Sequence, residues 1–151
     1  QRDGWIDDMV KQLDSSRYFR WFDSGDMYAI GLANKMLEVM QATPWVKHWL
    51  PTRMAKFPKF APVIAQMQAL DNVVVRFSSD SVSGEHDSRH GSVIIDTPDD
   101  LPVGATLCEA YANNGKCNGC RACYNKEVAL IAYPAHGVKM RKVIRILKAK
   151  V

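Results

Sequence analysis

The chain has 151 residues, 47% of them hydrophobic and 24% charged, with a net charge of +4. That is enough apolar content for one globular domain, which buries roughly 70% of the surface its unfolded chain exposes, so a disulfide scaffold is unnecessary. The apolar runs are too short to span a membrane, no secretory apolar segment is visible, and so mild a charge does not by itself mark a nucleic-acid binder.

The sequence opens at Gln1, without a methionine, inside a helical pattern of Trp5, Ile6, Met9, Val10 and Leu13. From this a longer native polypeptide is expected. Residues 17–22, RYFRWF, predict an aromatic strand. DSGD follows as a turn, and Ile30, Ala33, Leu37 and Met40 at helical spacing predict a helix over 27–40, ended by Thr43-Pro44. WVKHWL, 45–50, predicts a second strand stopped by Pro51. A second helix is expected over 58–70, with its prolines tolerated in the first turns. NVVVRFSS, 72–79, predicts a third strand.

This alternation implies an α/β fold of parallel βα repeats with right-handed crossovers, as a partial barrel or an open sheet. Beyond residue 80 the rhythm breaks. SVSGEHDSRHG and TPDDLPVG read as loops, SVIID (92–96) as a short strand, and EVALIAY (127–133) as the last strand, with a cysteine-rich loop between them. The tail, 138–151, sets Val143, Ile144, Leu147 and Val151 on one helical face among six basic residues. The expected organisation is a βα core (1–98), a metal-binding cysteine segment with the last strand (99–137) and a basic amphipathic tail (138–151), all in one domain.

Ligand-handling residues of parallel sheets sit just past the carboxyl ends of the strands. Here those segments supply Asp23, Ser24 and Asp26, then Arg53, then Ser79 and Asp80. Together they would form a polar rim for a small anionic ligand. The plainer reading makes Asp23 or Ser24 a helix cap and Arg53 a surface ion-pair partner.

All four cysteines fall within sixteen positions: Cys108, Cys117, Cys120 and Cys123. A disulfide framework is disfavoured, because such close cysteines close little loop entropy. Zinc prefers two C-x2-C knuckles separated by a longer spacer. A C-x2-C-x2-C run with a fourth cysteine elsewhere suits a [4Fe-4S] cluster, with zinc as the alternative. Gly115, Gly119, Asn113, Asn114 and Asn118 permit the tight turns that such a site needs. Among the histidines, His86 and His90 lie on a polar loop without a third ligand, His136 follows the last strand, and His48 sits inside a strand as a packing or hydrogen-bonding residue. Trp21 and Trp49, at the ends of neighbouring strands, are candidates for a pocket wall.

Four blocks, RYFRWFDSGDMY, VKHWLPTR, VVVRFSSDSVSG and KCNGCRACYNKEVALIAYPAHG, resemble in that order the blocks of a bacteriophage family of uncharacterised proteins called gene product eighty-eight. The resemblance covers about residues 15 to 137, and the family carries a further cysteine-containing segment upstream. The architecture is also similar to a reduced radical-SAM-type partial barrel, although the C-x3-C-x2-C motif of that chemistry is missing here. The resemblance implies a phage product in the cytoplasm of the infected bacterium. One expectation is an iron–sulfur protein with a ligand on its rim, acting as a redox or degenerate SAM-type enzyme. The other is a cluster- or zinc-stapled binding module for nucleic acid, through the basic tail, or for protein.

Overall fold

In the computed structural model of this chain, residues 4–79 and 90–136 are described. Asp80, His86 and the basic tail lie outside them. The chain divides into two compact units, residues 1–76 and 77–151.

The first unit begins with α1 (Trp5–Gln12), whose half-buried stripe of Trp5, Ile6, Met9 and Val10 belongs to a helix packed on α2 (Ile30–Ala42). Strand β1 (Tyr18–Arg20) pairs in parallel with β2 (Lys47–Thr52), placing Tyr18 beside Lys47 and Arg20 beside Trp49. The other neighbour of β2 is β3 (Val73–Ser78). The crossovers are α2 and α3 (Ala61–Gln68), as the alternation of the sequence predicts. Their apolar faces bury Ala33, Met36, Val39, Met40, Ile64 and Met67 with Leu50 and Val73–Val75 of the sheet. Successive residues Val73 to Arg76 of β3 are all buried, so its sequence opens on a run of valines and not an alternation.

Asn72 ties this unit together. Its side-chain amide donates to the carbonyls of Met40 (3.2 Å), Thr43 (3.1 Å) and Val46 (3.0 Å). The amide thereby bridges the last turn of α2 to the segment that leads into β2.

Several boundaries move. Pro51 lies inside β2 instead of stopping it, because β1 ends at Arg20, opposite Trp49, and Pro51 falls past that paired stretch. The helix expected over 27–40 begins at Ile30, after an extended Ala29. The one expected over 58–70 is a 3-10 turn, Pro58–Phe60, followed by α3 with Pro62 in its first turn.

In the second unit, Phe77 and Ser78 at the end of β3 pair in parallel with Gly91 and Ser92 of β4 (Gly91–Ile95). β4 pairs with β6 (Leu130–Pro134), and β6 with β5 (Ala105–Leu107), both in parallel. The strand order is β1-β2-β3-β4-β6-β5, so the fold is mixed α/β on a six-stranded parallel sheet. β5 is an addition to the predicted elements: Ala-Thr-Leu is too short to carry a period-two signal. One face of this unit's strands buries Val93, Ile95, Leu130 and Ala132, with Ala105 and Leu107 packed against them. Among the described residues no helix is long and apolar enough to cross a membrane.

Candidate functional site

At the carboxyl ends of β1 and β2 the chain does bring Asp26 and Arg53 together, through the backbone. Asp26 Oδ1 accepts from the hydroxyl of Thr52 (2.7 Å) and the N–H of Met27 (2.8 Å), and Oδ2 accepts from the N–H of Arg53 (2.7 Å). Thr52 is buried, and its hydroxyl accepts in turn from the N–H of Met54. A carboxylate holding three donors is a clamp between two loops. Asp23 stands apart, its side chain 97% exposed and 3.6 Å from Arg20. Ser24 is exposed; Ser79 belongs to the second unit, where its N–H donates to the carbonyl of Ser92 at 3.3 Å.

Beneath this edge lies a polar relay that the sequence marks only as a histidine within a strand. His48 is fully buried. Trp21 Nε1–H donates to its Nδ1 at 3.2 Å, and its Nε2 lies 2.8 Å from Thr43 Oγ1. The Thr43 hydroxyl donates to the carbonyl of Val39, so it can only accept from His48, which fixes a neutral imidazole protonated at Nε2. Burial lowers its pKa from 6.5 to about 4. Trp21 and Trp49 are both buried, the first stacked on His48 and the second covered by the Arg20 guanidinium at 4.7 Å. Both belong to the buried core.

The cysteine segment is built from consecutive tight turns. The Lys116 N–H donates to the carbonyl of Asn113 (3.1 Å), and that of Cys120 to Cys117 (2.9 Å). The central residues of both turns are Asn-Gly pairs with positive φ: 57° and 77° at Asn114-Gly115, 46° and 85° at Asn118-Gly119. Two positive φ values in succession define the primed turns that Asn-Gly favours. Two further turns follow, Tyr124 N–H to Arg121 carbonyl and Val128 N–H to Asn125 carbonyl, before the chain enters β6.

All four cysteines are free thiols. They divide into two pairs. Cys117 and Cys120, at the ends of the second Asn-Gly turn, are exposed; Cys108 and Cys123 are half-buried. The Cys108 N–H continues the β5–β6 ladder onto the carbonyl of Ala132 (2.8 Å), and Cys123 Sγ lies 3.5 Å from the hydroxyl of Tyr133, the next residue of β6. Among the described residues no three His, Cys, Asp or Glu side chains are already gathered as a metal site. Thiols are the soft donors that a thiophilic metal takes, but here the four are not gathered around one point.

Tyr133 is a neighbour that sequence reasoning missed, because a tyrosine within an apolar strand reads as packing. Of the other described histidines, His90 has Nε2 2.7 Å from the carbonyl of Lys126, and His136 stacks on Tyr111 at 4.6 Å.

The fold and the cysteine loop together define a mixed α/β protein with a thiol-rich segment on its last strands. The chain belongs to the Gene product 88 family, a phage gene-product family whose model matches residues 1–126 and so includes Asp26, Arg53 and every cysteine. No curated protein and no solved structure matches it.

Proposed function

We propose that this is a phage-encoded iron–sulfur protein whose Cys108, Cys117, Cys120 and Cys123 bind one [4Fe-4S] cluster, with zinc as the alternative metal. The observation that carries the reading is the pairing of four free thiols with a chain of turns whose two ends are held at neighbouring residues of β6. Cys108 and Cys123 stand beside Ala132 and Tyr133, and Cys117 and Cys120 flank the exposed Asn-Gly turn. A bound cubane supplies one-electron redox chemistry. The chain's own contribution is to hold four thiolates with backbone N–H groups and the cations Lys116 and Arg121 nearby.

The centre then acts as a staple for the second unit. A small anionic ligand at Asp23, Ser24, Asp26 and Arg53 has less support, because Asp26 already accepts three hydrogen bonds. A degenerate SAM-type enzyme has none beyond the general α/β plan. The cytoplasm of the infected bacterium, which keeps thiols reduced, suits the proposed site.

Anaerobic expression with iron supplied tests the reading. The expected product is brown, with broad visible absorption that bleaches with dithionite and with iron lost when any one of the four cysteines becomes alanine. Colourless protein carrying stoichiometric zinc replaces the cluster by the alternative, and a cysteine variant with full metal content removes that residue from the site.

A further inference from the structure

The segment after β2 offers a surface unrelated to the cysteines. Between Glu38 and Asp71 the chain has no acidic residue, while Lys47, Arg53, Lys56 and Lys59 are basic. Arg53 caps the first of two successive 3-10 turns, Met54–Lys56 and Pro58–Phe60, Lys56 and Lys59 stand on them, and all three are exposed. A 3-10 turn has three residues per revolution and rises about 2 Å per residue, so Arg53 and Lys56 recur on one side of the first turn about 6 Å apart.

The turns meet at Phe57, which is extended and 42% exposed, with Lys56 Nζ 5.4 Å from its ring centroid. Phe60, three residues on, is fully buried, and its turn packs against α2. The segment is therefore anchored by one ring and displays another. A second exposed ring, Tyr28 at 73%, lies two residues beyond Asp26, whose carboxylate grips the N–H of Arg53. That clamp joins the loop carrying Tyr28 to the basic turns.

We infer that Tyr28, Arg53, Lys56, Phe57 and Lys59 form a binding edge for single-stranded nucleic acid, with bases stacked on the rings and phosphates on the cations. Exposed rings between cations are the elements from which strand-tracking sites are built, and only unpaired bases can reach them. A lipid surface fits less well, because two short turns present no continuous apolar helix face. The inference is independent of the metal.

Fluorescence anisotropy of a labelled oligothymidine over a series of salt concentrations, with the full chain, tests it. At about 0.7 in the log–log salt slope per phosphate contact, Lys56→Ala with Lys59→Ala reduces the slope by about 1.4, whether or not residues 138–151 also contribute. Phe57→Ala weakens binding about tenfold and leaves the slope unchanged, as loss of one stacked base does. Circular dichroism and thermal melting verify that these exposed changes leave the fold intact. The inference is overturned if the three patch substitutions are neutral while deletion of 138–151 abolishes binding. It is equally overturned if duplex binds as tightly with Phe57→Ala silent, or if only anionic vesicles bind.

Discussion

Trp21 donates its indole N–H to Nδ1 of His48 at 3.2 Å, in a site where His48 has no exposure to solvent. A protonated imidazole would turn that acceptor into a donor facing another donor. The geometry and the burial therefore act in the same direction, holding His48 neutral with a pKa lowered from 6.5 to about 4.

Acid sensitivity is the first prediction. The unfolded chain takes up a proton near pH 6.5 and the folded chain only near pH 4, so the folded state binds fewer protons between those values. Stability is complete above about pH 6.5 and falls as the pH drops towards 4, by about 3 kcal/mol from this one group. Urea midpoints at pH 7.5 and 4.5 measure it. His48→Gln should be less stable than the native chain at pH 7.5 yet lose less on acidification; parallel losses would show that His48 is not the sensor.

Asp26 and Arg53 give the second prediction, because the sequence proposes both as ligand residues and the geometry assigns them different work. Asp26→Ala strips the buried Thr52 hydroxyl and two N–H groups of their acceptor, and should cost about 3 kcal/mol. Asp26→Asn should cost about half as much, since an amide oxygen can still accept. Arg53→Ala should stay within about 0.5 kcal/mol, because the clamp holds its backbone and its side chain is exposed. Chemical denaturation ranks the three, and a ranking with Arg53→Ala as the most damaging would refute the clamp.

What the sequence reveals here depends on how local the determining physics is. The βα rhythm is legible because a helical period persists over Ile30–Ala42 and an unbroken run of valines opens Val73–Ser78. The edge strand Ala105–Leu107 is not, because its pairing with Leu130–Ala132 is a property of the register and of no local pattern. The Asn-Gly turns around Cys117 follow from composition. The sequence also brings Asp26 near Arg53, but not through which atoms: a side chain meeting a backbone N–H twenty-seven positions away leaves no trace in residue types. His48 is visible as a histidine in a strand, and its partners Trp21 and Thr43 are visible only in three dimensions. Arg76 is the largest such surprise, a fully buried arginine directly after three buried valines.

The turn at Cys117 makes the third prediction. Gly119 has φ of +85°, and a Cβ added there would meet nothing within 4 Å. Gly119→Ala therefore introduces backbone strain without a clash, about 1 kcal/mol. The strain should fall on the turn that sets Cys117 and Cys120 apart, so cobalt(II), added to the apoprotein as a coloured stand-in for the proposed metal, should bind more weakly. Asn118→Gly, which keeps a residue at ease with positive φ, should bind cobalt as the native chain does. Equal cobalt affinity in all three proteins would mean that the turn plays no part in assembling the site.

The last prediction concerns the staple. The second unit has short strands, and β5 offers three residues of pairing before the chain leaves the sheet at Cys108. From there to β6 the described backbone is a succession of turns with few buried side chains, which by itself gives little protection against local opening. The first unit, by contrast, has its own core under α2 and α3 and contains no cysteine. A metal joining Cys108 to Cys117, Cys120 and Cys123 would close that succession of turns onto β6 and couple its opening to loss of the metal. Removing the metal with a chelator should then raise hydrogen exchange over residues 97–136 and leave residues 18–76 protected as before. Cys117→Ser should reproduce the effect without chelator, since one missing ligand breaks the closure. Should exchange over 97–136 be the same with and without metal while redox activity disappears, the centre would be reactive and not structural, and the staple would be excluded.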